Sequence, residues 1–264
     1  MAEPADQTIK ALRAEFEELA ALVRGFGEDE LARRSGAVEW DVSQVLSHLG
    51  SGAEIGLAAL NGAVDGSGAP EREFIQGVWA RWDAMSRAQR AEEFLSANDA
   101  QLRRFEDLDA QAREELRIPV WWPGDPADVA TFGGMRLNEL ALHAWDVKVA
   151  FDGAATLTPE VAELLLPRAE AAIAWVGKAA GLGGRQASVA VHLTAPEQSF
   201  GVEIRDAVSI TEVPSTPDGV LTAPAEWWVR LASGRHSPEH TPAGVEFTGE
   251  TLTLDDLRRV FPGY

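Results

Sequence analysis

The chain of 264 residues is 45% hydrophobic and 25% charged, the balance of a soluble globular protein with enough length for one large core or two ordinary domains. Its 23 basic and 42 acidic residues leave a net charge of −19. That argues against a nucleic-acid backbone or an anionic membrane surface as partner, and the absence of cysteine excludes disulfides, Cys-ligated zinc and a protein thiol nucleophile.

No run reaches the roughly 18 apolar residues of a membrane span. The segment Met1–Asp6 lacks the charged-then-apolar pattern of a signal peptide, so the expected location is cytoplasmic. In chain order, Ile9, Leu12, Phe16, Leu19, Leu22 and Val23 recur at helical spacing and predict a helix over about 7–24. Trp40-Asp41 opens a second helix, with Asp41 and Gln44 placed as a capping box. Along it Val42, Val45, His48, Leu49, Gly52 and Ile55 form one stripe, which turns His48 toward the core side. Residues 62–70 are small and polar and are expected to form a loop.

Helical periodicity returns over Phe74–Trp82 and Ala91–Phe105. Leu116–Trp122 and Val129–Phe132 are rich in β-branched and aromatic residues, with Pro123-Gly-Asp-Pro126 between them, and predict a hairpin-like insertion. Gly133-Gly134 then precedes a helix carrying Glu139 and His143 that stops near Gly153. A further helix follows Pro159 and runs to about Ala180. After Gly181-Leu-Gly-Gly184 the pattern changes. Ala187–Thr194, Phe200–Ile204, Ala207–Thr211 and Val245–Thr248 read as strands, Ala223–Ser233 and Leu254–Phe261 as helices. The fold class is α+β, with a helical domain over 1–181 and a smaller α/β domain over 182–264.

The chemistry concentrates on three residues. Glu139 and His143 lie one helical turn apart and project from one face. With His48 they offer a carboxylate and two imidazoles, a three-ligand set for a divalent metal with coordination positions left open. The alternative is an ordinary side-chain pair and a buried, hydrogen-bonded histidine. Asp146 follows His143 by three residues on the same face, where it either orients a ligand imidazole, acts as a base near bound water, or is a surface carboxylate. His236 and His240 fall in a proline-bearing segment and are expected to be solvated. His192 sits in a strand and is expected to be structural. Trp121-Trp122 and Trp227-Trp228 are adjacent pairs, so one member of each is expected to face a pocket or interface.

At these positions the sequence resembles a known family. Trp40-Asp-Val-Ser-Gln-Val-Leu-Ser-His48-Leu resembles the W-S/T-x-x-D/E-x-L-x-H-L helix of the DinB-like superfamily, departing from it at Val42-Ser-Gln44. Arg136-Leu-Asn-Glu139-Leu-Ala-Leu-His143-Ala-Trp-Asp146 resembles its later R-x-x-E-x-x-x-H-x-x-D helix. The nearest subgroup is the mycothiol-dependent maleylpyruvate isomerase family. The tail, Pro224-Ala-Glu-Trp-Trp-Val-Arg-Leu-Ala-Ser-Gly-Arg235 with Val245-Glu-Phe-Thr-Gly249, is similar to that family's smaller, sterol-carrier-like domain.

The resemblance implies a DinB-like four-helix bundle followed by the α/β domain. It implies His48, Glu139 and His143 as metal ligands, usually to zinc, and Arg235 in catalysis or substrate binding. It implies a metal-dependent enzyme that uses a low-molecular-weight thiol, mycothiol, to isomerise or modify a small electrophile. Arg235, and second Arg136, are the expected cations for an anionic substrate or the thiol cofactor, with bracing of its own helix as the alternative for Arg136. The rival functions are a non-catalytic small-molecule binding or scaffold protein with a structural metal, and a metal-activated hydrolase.

Overall fold

A computed structural model describes residues 4–120 and 124–263, so Trp121 and Trp122 lie outside the described residues. The chain folds as two compact units, Met1–Asp152 and Gly153–Tyr264. In the first unit the elements are α1 (Pro4–Val23), α2 (Glu28–Leu31), α3 (Val42–Asp65), α4 (Arg72–Asp83), α5 (Arg87–Glu106), α6 (Ala110–Glu115), β1 (Arg117–Ile118), β2 (Ala127–Asp128) and α7 (Val129–Lys148). Four long helices form the frame. α3 packs on α5, α5 on α1, α1 on α7 and α7 on α3, which closes a ring of neighbours. The stripe predicted for α1 is its buried face, with Ile9, Leu12, Phe16, Leu19 and Val23 all inside. Burial of such stripes, more than helix propensity, stabilises a bundle of this kind.

The helix starts follow from short side chains. Asp41 accepts from the Gln44 backbone N–H at 2.9 Å, while Gln44 Oε1 accepts from the Asp41 N–H at 2.9 Å. This is the expected capping box, and it satisfies two otherwise orphaned donors. α3 continues through Asp65 into the segment expected to be a loop and ends at Gly66, whose φ of 78° suits glycine.

The predicted strand at Val129–Phe132 is instead the first turn of α7. Asp128 caps it by accepting from the Thr131 N–H at 2.7 Å, so local capping overrides β propensity there. Only Arg117–Ile118 and Ala127–Asp128 pair, as an antiparallel two-residue ladder. Gly133 and Gly134 lie within the same helix. A Cβ on Gly133 would stand 3.0 Å from Thr8 Cγ2, so glycine there lets α7 approach α1.

The second unit contains α8 (Pro159–Val176), β3 (Ala187–Thr194), β4 (Glu197–Ile204), β5 (Val208–Thr211), β6 (Gly219–Ala223), α9 (Ala225–Ala232), β7 (Glu246–Gly249) and α10 (Leu254–Val260). The strands make one sheet in the order β5-β4-β3-β6-β7. β3 pairs antiparallel with β4 and parallel with β6, with Val191 opposite Phe200 and Leu221. α8 packs on β5 and α9, and α9 reaches β3. The composition change near residue 182 therefore marks the start of this sheet, and α8 packs within the same unit. Trp227 and Trp228 are both buried.

Candidate metal centre

α3 and α7 are neighbours in the ring, and each brings one part of the centre. His48 lies in the second turn of α3. Glu139 and His143 lie one turn apart on α7. His48, Glu139 and His143 each offer one ligand atom, and these atoms all lie within 4.8 Å of one another. His48 Nε2 is 3.1 Å from Glu139 Oε2, and His143 Nε2 is 3.9 Å from the same oxygen. The side chains of His48 and Glu139 are 41% and 43% exposed, so the cluster opens on one side.

Behind it the site is closed. Asp146 has a side-chain exposure of 0%, and its Oδ2 is 2.8 Å from His143 Nδ1. A carboxylate only accepts, so Nδ1 carries a proton, and Nε2 is the nitrogen turned toward Glu139. Asp146 is therefore a buried orienting carboxylate, and the surface alternative does not hold.

The segment before α3 is pinned over α7 by a hydrogen bond from the Gly36 N–H to the Asp146 carbonyl at 2.8 Å. A Cβ on Gly36 would come within 2.8 Å of Val149 and 3.0 Å of Trp145 and Asp146. Only a bare backbone allows that approach. It sets Trp40 beside both imidazoles, with ring centroids 5.2 Å from His48 and 5.9 Å from His143.

Burial pushes the Glu139 carboxyl up, but the hydrogen bond from His48 and the neighbouring imidazoles and Arg136 outweigh it and hold it at about 2. Glu139 is thus an anion at neutral pH. Arg136 is buried in the bundle, and burial brings its guanidinium down to about 10, with Glu139 opposing. It donates to the Leu49 carbonyl at 2.8 Å and to the Asn98 side chain, joining α7 to α3 and α5.

A cleft of about 320 Å³ shares His48 as a wall and is bounded by Trp40, Trp79, Trp82, Gln44, Asp83 and Arg90. Sequence reasoning missed its outer members. Trp79 alone left a signal, since it falls off the Ile75, Val78, Trp82 stripe of α4.

Arg235 lies in the second unit, just after α9. Its loop is held by Arg230, which is fully buried and paired in bidentate fashion with Glu226 at 2.7 and 3.0 Å. Arg230 also donates to the carbonyls of Arg235 and His240 at 3.2 Å. His236 is not a solvated side chain. Its Nε2 donates to the Phe261 carbonyl at 2.6 Å. His240 Nδ1 lies 3.1 Å from the Gly153 carbonyl, and His192 Nδ1 lies 2.8 Å from Ser199 Oγ.

The family model described as the mycothiol maleylpyruvate isomerase N-terminal domain matches residues 12–148. Among solved structures, this chain is similar to the crystal structure of the mycothiol-dependent maleylpyruvate isomerase and to that of a histidine-to-alanine mutant of it. Each match has a TM-score of 0.64 at 15% identity and covers 95% of this chain and 95% of the other. At that identity the likeness is one of fold. Comparison with curated proteins gives no match.

Proposed function

Because the chain belongs to the mycothiol maleylpyruvate isomerase N-terminal domain family, we propose that it is a mycothiol-dependent isomerase. The observation that carries this reading is the convergence of two imidazoles and an ionised carboxylate on one open-sided point, with His143 held by buried Asp146. His48, Glu139 and His143 fit a divalent metal, zinc by resemblance. Three mixed nitrogen and oxygen donors are the pattern of a catalytic site rather than a closed structural one. When bound, such a metal keeps a thiol sulfur ionised near neutral pH.

The chain's own residues do the rest. Asp146 keeps the proton on His143 Nδ1, so Nε2 stays available. Glu139 brings one negative charge to a site whose other two donors are imidazoles. Trp40 covers one side of both rings and limits water there. In the isomerisation, the thiolate sulfur adds to one carbon of a conjugated double bond and pushes the π pair into the carbonyl. Rotation about the new single bond follows, and return of the pair expels the thiolate. The thiol is regenerated, and the product is an isomer of the substrate. We assign Arg235 as the counter-charge of the anionic substrate, supported by its place in the Gly234-Arg235 element and its firmly held loop. Among the described residues no helix is long and apolar enough to cross a membrane, and the proposed location is the cytoplasm.

Purified protein should carry roughly one divalent ion per chain, as three-ligand catalytic sites do. Mycothiol added to cobalt-substituted protein should change the cobalt spectrum and release a proton, because the bound form is the thiolate. An unchanged spectrum with no proton release would overturn the thiol mechanism. His48→Ala and His143→Ala should each lose the ion. Arg235→Ala should weaken substrate turnover and keep it.

A further inference from the structure

We infer that the buried Glu226–Arg230 pair is the positioning device for Arg235, fixing the backbone from which that side chain reaches its anionic ligand. This deepens the proposed function and rests on it for the role of Arg235. Neither member of the pair is a catalytic residue. Both act through Arg235.

The pair begins with spacing. Glu226 and Arg230 lie four residues apart on α9, so their side chains meet on one face. Arg230 is 0% exposed and Glu226 7%. Nε and Nη2 of Arg230 donate to the two carboxylate oxygens at 2.7 and 3.0 Å. The planar fork is thereby fixed in the interior. Glu226 Oε2 also accepts from the Leu157 N–H at 3.4 Å, which ties the carboxylate to the chain just before α8.

The remaining nitrogen, Nη1, gathers the loop that follows the helix. It donates to the Arg235 carbonyl and to the His240 carbonyl, each at 3.2 Å. Carbonyls from opposite ends of the segment 235–240 therefore converge on one nitrogen. The Arg235 N–H donates back to the Arg230 carbonyl at 2.8 Å, so the backbone of Arg235 is held on both sides. Gly234 turns the chain into this segment with a φ of 80°. From α10, Arg258 Nε donates to the His236 carbonyl at 2.8 Å and Nη2 to Thr241 Oγ1 at 2.7 Å.

Stability alone does not call for such a pair. Taking two charges out of water costs about as much as their attraction returns, and apolar side chains of similar volume often stabilise a core as well or better. Apolar side chains cannot draw two backbone carbonyls to one point. Arg235 is half-buried, and its Nη1 donates to the Ser233 carbonyl at 3.3 Å, a long hydrogen bond. A ligand carboxylate offers two oxygens and a full charge, the stronger acceptor for the same guanidinium. The direction in which Arg235 meets that ligand is set by the backbone beneath it, and the pair sets the backbone. Holding a binding group in place beforehand lowers the ordering cost of binding.

The test uses the purified metal-loaded protein and maleate, a rigid dicarboxylate, as probe. The chain has no cysteine, so without added thiol the probe binds and does not react. Wild type should bind maleate saturably in calorimetry, and Arg235→Ala should weaken it by about tenfold or more. The double variant Glu226→Leu with Arg230→Met removes both charges and leaves neither buried alone. It should keep its metal and unfold cooperatively, yet bind maleate about tenfold more weakly, the scale of one misplaced charge-assisted hydrogen bond. In the Arg235→Ala background the same double substitution should add less than about twofold, because residues that act through one another do not add. With maleylpyruvate and mycothiol it should raise KM about tenfold at unchanged kcat, as a loss of uniform binding does. Unchanged maleate affinity in the folded double variant, an equal loss in both backgrounds, or a fall in kcat at unchanged KM overturns the inference. Should the double variant not fold, Arg230→Lys, which keeps the charge and loses the fork, is read against the same outcomes. If neither folds, the pair is structural and the inference falls. If wild type binds no maleate, or Arg235→Ala binds it as well, the assignment of Arg235 falls and the inference with it. If Arg235→Ala weakens binding and the pair is without effect, the inference alone falls. Absence of turnover in wild type defeats the isomerase reading, and the maleate measurements still decide the role of the pair.

Discussion

The ring of His143 is held at Nδ1 by Asp146 at 2.8 Å, while its Nε2 lies 3.9 Å from Glu139 Oε2. The two carboxylates have different work. Glu139 is open to ligand, whereas Asp146 is wholly buried and reaches the site only through the imidazole. Partners of this kind typically change metal affinity by roughly 10–100-fold. Asp146→Asn should therefore still bind the ion at saturation, with affinity reduced by about that factor in a competition with a chromogenic chelator. Unchanged affinity would remove Asp146 from the site. His236 offers a second test at this scale. Burial, with Arg258 and Arg230 nearby, pushes its imidazole below the usual histidine range despite the hydrogen bond to Phe261. Its neutral form is thus favoured by folding. The unfolded chain binds the proton more readily, so this contribution is complete above an unfolded value of about 6.5 and is lost as pH falls from there through the folded value. Equilibrium unfolding should show stability declining on that side, and His236→Gln should flatten the decline.

Helices meet closely in the first unit, and glycines mark where. A Cβ on Gly50 would lie 2.0 Å from Trp82 Cη2, and Trp82 is buried and rigid. The ring cannot swing away without opening the cluster with Ile55, Ile75 and Val78. Gly50→Ala should cost about 1–3 kcal/mol, the usual penalty for overpacking, read as a lower unfolding midpoint at constant slope in denaturant. A gain in stability, as alanine gives in an open helix position, would show that α3 and α4 do not meet this closely. Much of this level was legible in the sequence. The stripes of α1 and α3 and the Asp41–Gln44 box are local, and local patterns survive into the structure. Val129–Phe132 was misleading because its residue types fit a strand while Asp128 supplies a cap. β6 escaped because its short parallel pairing with β3 is a tertiary event. The His48, Glu139, His143 set was legible through one helical spacing and a family resemblance. The cleft was not, since Trp79, Asp83 and Arg90 reach it only once α3, α4 and α5 are packed.

At the scale of the whole chain, the position of α8 decides what can fold alone. Its buried face comprises Val161, Ala162, Leu165, Leu166, Ile173 and Val176, and it packs on β5 and α9. A Cβ on Gly177 would stand 2.7 Å from Val208, so the end of the helix lies directly against the sheet. At its start, the Leu157 N–H donates to Glu226 at 3.4 Å, the same carboxylate that holds Arg230. Each large aliphatic side chain on that face contributes about 1.5–3 kcal/mol when buried. Their sum rivals the roughly 5–15 kcal/mol that keeps a whole domain folded. A fragment beginning at residue 182 would keep every strand and expose the apolar surface that α8 covers. It would also leave Glu226 without its contact to Leu157. The fragment 153–264 should therefore unfold cooperatively in denaturant, with dispersed amide resonances. The fragment 182–264 should show neither property and should bind hydrophobic dyes. If the shorter fragment folds as well as the longer one, α8 is an attachment to the sheet rather than part of its core, and the domain begins where the composition changes.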